Sequence, residues 1–306
     1  MVIHCDDVPW EARECGPLAH ERARLGGLAG ALGVGLSRYR VPAGGQMMPA
    51  HTHADEEETA FVTGGGGLLW EDGATVAVDA GDTVVHRRGA GPHTLVAGEN
   101  GLEVLIFAEG SPTELTWLPR AGVMVNRLCP LPSDTGDPWE REAAAGPLDL
   151  SSPAPRPDHV QALDDVEAWR WGRGLVRVRR RDLGRAAGAV HSGLRELAVA
   201  PGARSSPRHC HSAEEELFVV LAGAGELVLG DERAPVRTGS VVARPAGTGV
   251  AHAFEAGDEE LLLLAYGTRR PEDLAWYPDS RKIALRGLGV FTRVEPVGYW
   301  DGEDGV

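Results

Sequence analysis

Cysteine is scarce: the 306 residues include four, Cys5, Cys15, Cys129 and Cys210. Their spacing forms neither a paired metal motif nor a disulfide framework, which argues against a small disulfide-stapled scaffold or a cysteine-held zinc cluster. A reducing cytoplasm is the expected compartment. Long apolar runs are missing too. Residues 261–266 (LLLLAY) are among the longest and are far too short to span a bilayer. The opening MVIHCDDVPWEARE carries acids and has no apolar centre, so no signal peptide is expected. Positive charge is in deficit, with 30 Lys and Arg against 45 Asp and Glu and a net charge of -15. Nucleic acid and membrane are therefore not expected as partners, because either needs a basic face. One local exception, RVRRR at 177–181, reads as a solvated strand or turn.

The length suits two domains of ordinary size. The 41 glycines and 21 prolines point to many turns and short strands. Segments such as LRELAVAP, LFVVLAG, GELVLG and GSVVARP alternate apolar with small or polar residues, or run apolar, and Gly, Asp or Pro separates them. That pattern predicts an all-β fold of sandwich or barrel type, with a few short helices.

The chain repeats itself at an offset of 158. Asp6, Asp7 and Val8 fall on Asp164, Asp165 and Val166. Pro49, His51 and His53 fall on Pro207, His209 and His211, and Glu56, Glu57 and Glu58 on Glu214, Glu215 and Glu216. With one residue inserted, His93 meets His252, and LTWLP from Leu115 meets LAWYP from Leu274. A repeat this long is a duplicated domain. The expected division is 1–130 for the first domain, 131–158 for a linker rich in Pro, Ser and acids, and 159–306 for the second. A helical turn is expected near Trp139 to Ala145.

Histidine and glutamate cluster twice, in HTHADEEETAFVTGG from His51 and HCHSAEEELFVVLAG from His209. Residues two apart on a strand share a face, so each His-x-His can aim two imidazoles at one point. A turn then brings back one of three consecutive glutamates, and a later strand adds His93 or His252. Three imidazoles and a carboxylate suit Mn, Fe, Ni, Cu or Zn.

These stretches resemble the first motif of the cupin family: Gly, five residues, His-x-His, three or four residues, Glu, six residues, Gly. Gly45, His51, His53, Glu58 and Gly65 fit it. So do His209, His211, Glu216 and Gly223, with Gly202 one place further upstream. The resemblance selects Glu58 and Glu216 as ligands. GDTVVHRRGAGPH and GSVVARPAGTGVAH resemble the second motif; Pro245 and Gly247 fit it, whereas Arg87 replaces the proline in the first copy. The implied fold is two tandem jelly-roll barrels, a bicupin. WYPDSRKIALRG, from Trp276, is similar to a tail common in bacterial cupins of unassigned function.

The resemblance implies one divalent transition metal per domain, iron foremost, held by His51, His53, Glu58 and His93 and by His209, His211, Glu216 and His252. It implies a metal-dependent enzyme acting on a small organic molecule. A dioxygenase-type oxidoreductase comes first, a decarboxylase or isomerase second, and a non-catalytic binding protein third. A monomer or homodimer is expected. Glu56, Glu57, Glu214 and Glu215 are expected as turn or surface acids. Cys210 is expected in the core, facing away from the histidines, and Met47 as pocket lining or filling. Trp117 and Trp276 should pack a terminal segment against the outer sheet. His4, His20, His86, His159 and His191 have no repeated partner and are read as surface or core. Along the strand from Glu58 the inward positions are Ala60, Val62 and Gly64; from Glu216 they are Phe218, Val220 and Ala222. On that basis the first barrel should hold the larger pocket and the catalytic metal.

Overall fold

Alternating burial sets the strands. In Val34–Val41, Arg38 and Arg40 lean outward between the buried Leu36, Tyr39 and Val41. This strand pairs antiparallel with His93–Glu109, from Val34 opposite Glu109 to Val41 opposite Leu102. The computed structural model describes residues 1–126 and 136–303. Cys129 and the start of the expected linker lie outside the described residues.

Each half is a jelly roll of two packed sheets. In the first, Asp82–His86, Glu58–Glu71, His93–Glu109, Val34–Val41 and Leu18–Arg24 are neighbours in that order. In the second the order is Ser240–Arg244, Glu216–Ala222, Leu261–Thr268, Ser192–Val199 and Val178–Arg181. The motif glycines are required sterically. Gly65 and Gly223 have φ of 66° and 81°. A Cβ there would stand 2.1 Å from the Gly101 carbonyl oxygen or 2.2 Å from that of Glu260. The helical turn expected near Trp139 is the helix Pro138–Ala144, capped by Asp137. Among the described residues no helix is long and apolar enough to cross a membrane.

Strand pairing crosses the expected division, because the halves exchange strands. Val2–His4 pairs with Ser240–Arg244 of the second barrel, Val2 opposite Val242. Val160–Ala162 pairs with Asp82–His86 of the first, Val160 opposite Val84. The two pairings are equivalent under the repeat offset. Between the barrels lies a shared apolar core, in which Leu25, Phe61 and Phe107 meet Leu217, Val241 and Tyr266. Phe107 stacks on Tyr266 with centroids 5.0 Å apart.

Glu57 and Glu215 are buried, not surface acids, and each clamps the opposite barrel. Glu57 accepts from the backbone N–H groups of Val190 (2.8 Å), His191 (3.2 Å) and Ser192 (2.9 Å), and from the Ser192 hydroxyl (2.6 Å). Glu215 accepts from Leu32 (2.8 Å) and Gly33 (2.6 Å). Glu56 and Glu214 are buried as well, accepting from the N–H groups of Ser111 and Arg270. The expectation failed because strand alternation says nothing about the partner barrel, whose loops cover this turn. Arg87, standing where the motif has proline, reaches the same interface and donates to the Gly188 carbonyl at 2.7 Å.

Candidate metal centres

Backbone pairing builds the first centre. The His51 N–H donates to the His93 carbonyl (3.1 Å), and the His93 N–H returns to the His51 carbonyl (2.9 Å). The imidazoles are thereby set side by side, centroids 4.6 Å apart. Each ring is held through Nδ1: His51 by the Pro49 carbonyl (2.9 Å), His93 by that of Gly91 (3.1 Å) and His53 by Glu114 Oε1 (3.0 Å). With Nδ1 engaged, Nε2 is the free donor. Nε2 of His53 and of His93 each lie 3.6 Å from a Glu58 oxygen. All four donor atoms fall within 4.8 Å of one another.

The second centre repeats the plan. His209 and His252 exchange backbone hydrogen bonds of 3.2 and 2.8 Å. His209 Nδ1 meets the Pro207 carbonyl at 3.0 Å, and His211 Nδ1 meets Asp273 Oδ2 at 2.7 Å. Nε2 of His252 and of His211 lie 3.1 and 3.6 Å from Glu216 Oε2. In the second centre the donors gathered within 4.8 Å of one another are those of His209, Glu216 and His252, without His211. Both groups fit a cation. Nε2 of His53, His93 and His252, with Glu216 Oε2, are buried without a hydrogen-bond partner, which is costly unless something positive binds there.

Electrostatics agree. Burial, with repulsion from neighbouring histidines, lowers His51 to about 3. Burial foremost lowers His93 and His209 to about 4. These rings stay neutral, as ligands must. Burial opposes charge on His53 too, but Glu114 and Glu58 overcome it and raise the ring to about 10. His211 is likewise raised against burial, by Glu216 and Asp273. Glu58 and Glu216 are held well below the usual carboxylate range by their histidines, although burial works the other way.

The surroundings differ. Beside the first centre the space is about 10 Å³; beside the second it is about 260 Å³. The expected order of pocket sizes is therefore reversed. Phe218 does bulk into the second barrel, against Phe254 and His252. The opposite wall decides the outcome. Met47 and Ile106 fill the first barrel, and their repeat positions are Ser205 and Ala265.

Three arginines on that cavity, Arg180, Arg195 and Arg269, gather round one carboxylate, Asp182, at 3.5, 3.6 and 3.7 Å. Nε of Arg180 and of Arg195 is buried without a hydrogen bond. Burial and repulsion from Arg195 lower Arg180 to about 10. The basic run is thus only partly a solvated strand. Arg179 and Arg181 pair with Glu196, while Arg180 lines the cavity. Tyr277 roofs the site, stacked over His209 at 5.5 Å.

Sequence reasoning missed Glu114 and Asp273. Both directly precede the repeated LTWLP and LAWYP, whose strands dock on the His-x-His segments, with His53 opposite Thr116 and His211 opposite Ala275. The repeat offset alone could have marked them. Backbone pairing, rather than indole packing, does this docking: Trp117 is exposed and Trp276 half-buried. Cys210 is buried, as its place between the histidines suggests.

The family profile described as the cupin domain matches residues 37–107 and 195–266. Among solved structures, the chain resembles the oxalate decarboxylase formate complex from Lactobacillus farciminis, with 16% identity, a TM-score of 0.60, and coverage of 88% of this chain and 86% of that one. It also resembles oxalate decarboxylase from Bacillus subtilis at pH 4.6, with 19% identity, a TM-score of 0.58, and coverage of 87% and 75%. At these identities the likeness speaks for the fold alone. No curated protein sequence matches the chain.

Proposed function

The chain is a bicupin, and from that premise we propose that it is a metal-dependent enzyme that converts a small organic anion in its second barrel. One observation carries this reading: the cavity of about 260 Å³ beside His209, Glu216 and His252 has a wall with more guanidinium than carboxylate. Buried arginine Nε donors that make no hydrogen bond, three guanidinium groups to one Asp182 carboxylate, favour a carboxylate or similar oxyanion, bound through charge-assisted hydrogen bonds. The catalytic assignment therefore moves from His51, His53, Glu58 and His93 to His209, His211, Glu216 and His252.

A divalent transition metal at these four ligands, iron or manganese foremost, would supply Lewis acidity and a fixed anchor for the substrate. The protein supplies the rest. Arg180 and Arg195 orient the anion's far end. Phe218 and Phe254 keep that side of the cavity dry. Burial raises the Tyr277 hydroxyl above its ordinary range, so it stays protonated and can donate to a bound oxygen. Asp273 holds His211 in the tautomer that directs Nε2 inward. The first centre, with room for little more than a water, acts as a structural metal site.

The favoured chemistry is redox-neutral: decarboxylation or isomerisation of a carboxylate. The cationic wall and the fold shared with oxalate decarboxylases support it. A dioxygenase-type oxidoreductase is the second reading, supported by a three-His, one-Glu donor set that suits iron. Metal-loaded protein offered a panel of small mono- and dicarboxylates should release carbon dioxide or form an isomer without consuming oxygen. Stoichiometric oxygen uptake would select the second reading. Absence of turnover and of binding across the panel would reject the anion assignment.

A further inference from the structure

Behind the first centre lies another group of donors. His86, 4% exposed, stacks on His93 with centroids 3.4 Å apart. Its Nδ1 lies 3.6 Å from Glu71 Oε1, and Glu71 Oε2 lies 2.9 Å from His159 Nε2. Both ring nitrogens are buried, yet neither makes a hydrogen bond, so the carboxylate is close but out of line. The three donor atoms fall within 4.8 Å of one another. The same signature marks His53, Glu58 and His93, with 3.6 Å spacings and unpaired Nε2 atoms. Around a tetrahedral zinc ion with bonds of about 2.0–2.1 Å, donor atoms stand about 3.3–3.4 Å apart. The two histidine contacts of Glu71, one to each carboxylate oxygen, lie on either side of that value.

We propose that Glu71, His86 and His159 form a third metal site, for a divalent ion of zinc type with water as its fourth ligand. Two imidazoles and a carboxylate suit such an ion. The side chains of Glu71 and His159 are 23% and 28% exposed, which leaves the ion a way in. The placement makes the site structural. His159 directly precedes Val160–Ala162, the strand that enters the first barrel, and its carbonyl accepts from the Val85 N–H at 3.0 Å. His86 ends the strand with which that segment pairs. A bound ion rivets the incoming segment to the barrel. The site belongs to this half alone: the repeat offset sets Leu229, Arg244 and Met1 against Glu71, His86 and His159.

The test is a zinc count on full-length protein, stripped, reloaded and desalted against a weak chelator. The wild type should retain one equivalent more than His159→Ala, with the two chains equally folded by circular dichroism. Glu71→Gln, at the end of a strand, gives the same reading if His159→Ala fails to fold. A chain with His51, His53, His209 and His211 all changed to Ala should still retain about one zinc, and lose it when His159→Ala is added. Its melting temperature should rise with zinc only while His159 is present. Equal zinc in the wild type and both single variants would overturn the proposal, as would an extra equivalent that persists in both.

Discussion

The two barrels carry matching candidate ligand sets, three histidines and a glutamate each, and differ in what stands behind them. Their donor sets correspond position by position under the repeat, down to the carboxylate behind the second histidine, Glu114 in one and Asp273 in the other. Met47 and Ile106 close the first barrel, whereas Ser205 and Ala265 leave the second open. After a duplication, then, the ligand set can persist while the opposite wall decides whether a metal has room for a substrate. Ligand identity reports binding; chemistry has to be sought in the wall.

The largest expected effect tests this contrast directly. Glu216→Ala should lower turnover more than about a hundredfold, beyond what loss of a supporting residue costs, while Glu58→Ala stays within a few-fold. Steady-state assays on both variants, with metal content and circular dichroism, decide it. The reverse pattern would return catalysis to the first barrel. Filling the second cavity with Ser205→Met and Ala265→Ile should reproduce most of the loss with the metal retained.

Next in size are the interdomain clamps, which are unequal. Glu57→Ala strands three backbone N–H groups and a hydroxyl, and Glu215→Ala strands two N–H groups. Buried donors left unpaired cost roughly 1–3 kcal/mol each, less than additively. Denaturant titration should therefore give a loss of about 4 kcal/mol for Glu57→Ala and about 2–3 kcal/mol for Glu215→Ala. Equal losses would contradict this inequality, and losses near zero in both would mean the interface is held by its apolar core alone.

The carboxylates behind the ligands come third. Glu114→Gln and Asp273→Asn should each weaken metal binding by roughly ten- to a hundredfold at their own centre only. Competition against a chelator, with one centre emptied in turn, reads this out.

The last effect is in pH. In metal-free protein His53 titrates near 10, so at neutral pH it carries a proton that metal must expel. Protons therefore compete with metal. Affinity at the first centre should fall about tenfold for each pH unit from 9 to 7, and titrations in buffers of different ionisation enthalpy should show about one proton released per metal. Glu114→Gln removes the largest support for that proton and should flatten the slope. A flat slope in the wild type would contradict the charge assigned to His53.

What was legible in the sequence was local or repeated. His-x-His, the glutamate that follows and the closing glycine lie within 15 residues, where strand alternation and turn geometry apply. The duplication made each reading twice. The rest depended on chain segments far apart in sequence. Glu57 and Glu215 resemble turn acids because their partners lie more than 130 residues away in the chain. The strands from Glu58 and Glu216 do not by themselves give the pocket sizes, because the deciding side chains at 47 and 205, and at 106 and 265, come from other segments. Arg180 read as solvated because nothing in RVRRR tells which arginine turns inward.

The exchanged strands have a consequence for how the chain is made. Val2–His4 leaves the ribosome well before Ser240–Arg244, the strand it joins, which is synthesised about 240 residues later. At the usual elongation speed of about 5–20 residues per second, that segment waits on the order of 10–50 s, its edge unpaired. Val160–Ala162 has the opposite timing: its partner Asp82–His86 is already in place when it emerges. The first barrel can thus close during synthesis. The second can close only by recovering Val2–His4, so a nascent protein truncated before residue 240 would expose a strand with nowhere to dock and be a natural target for chaperones.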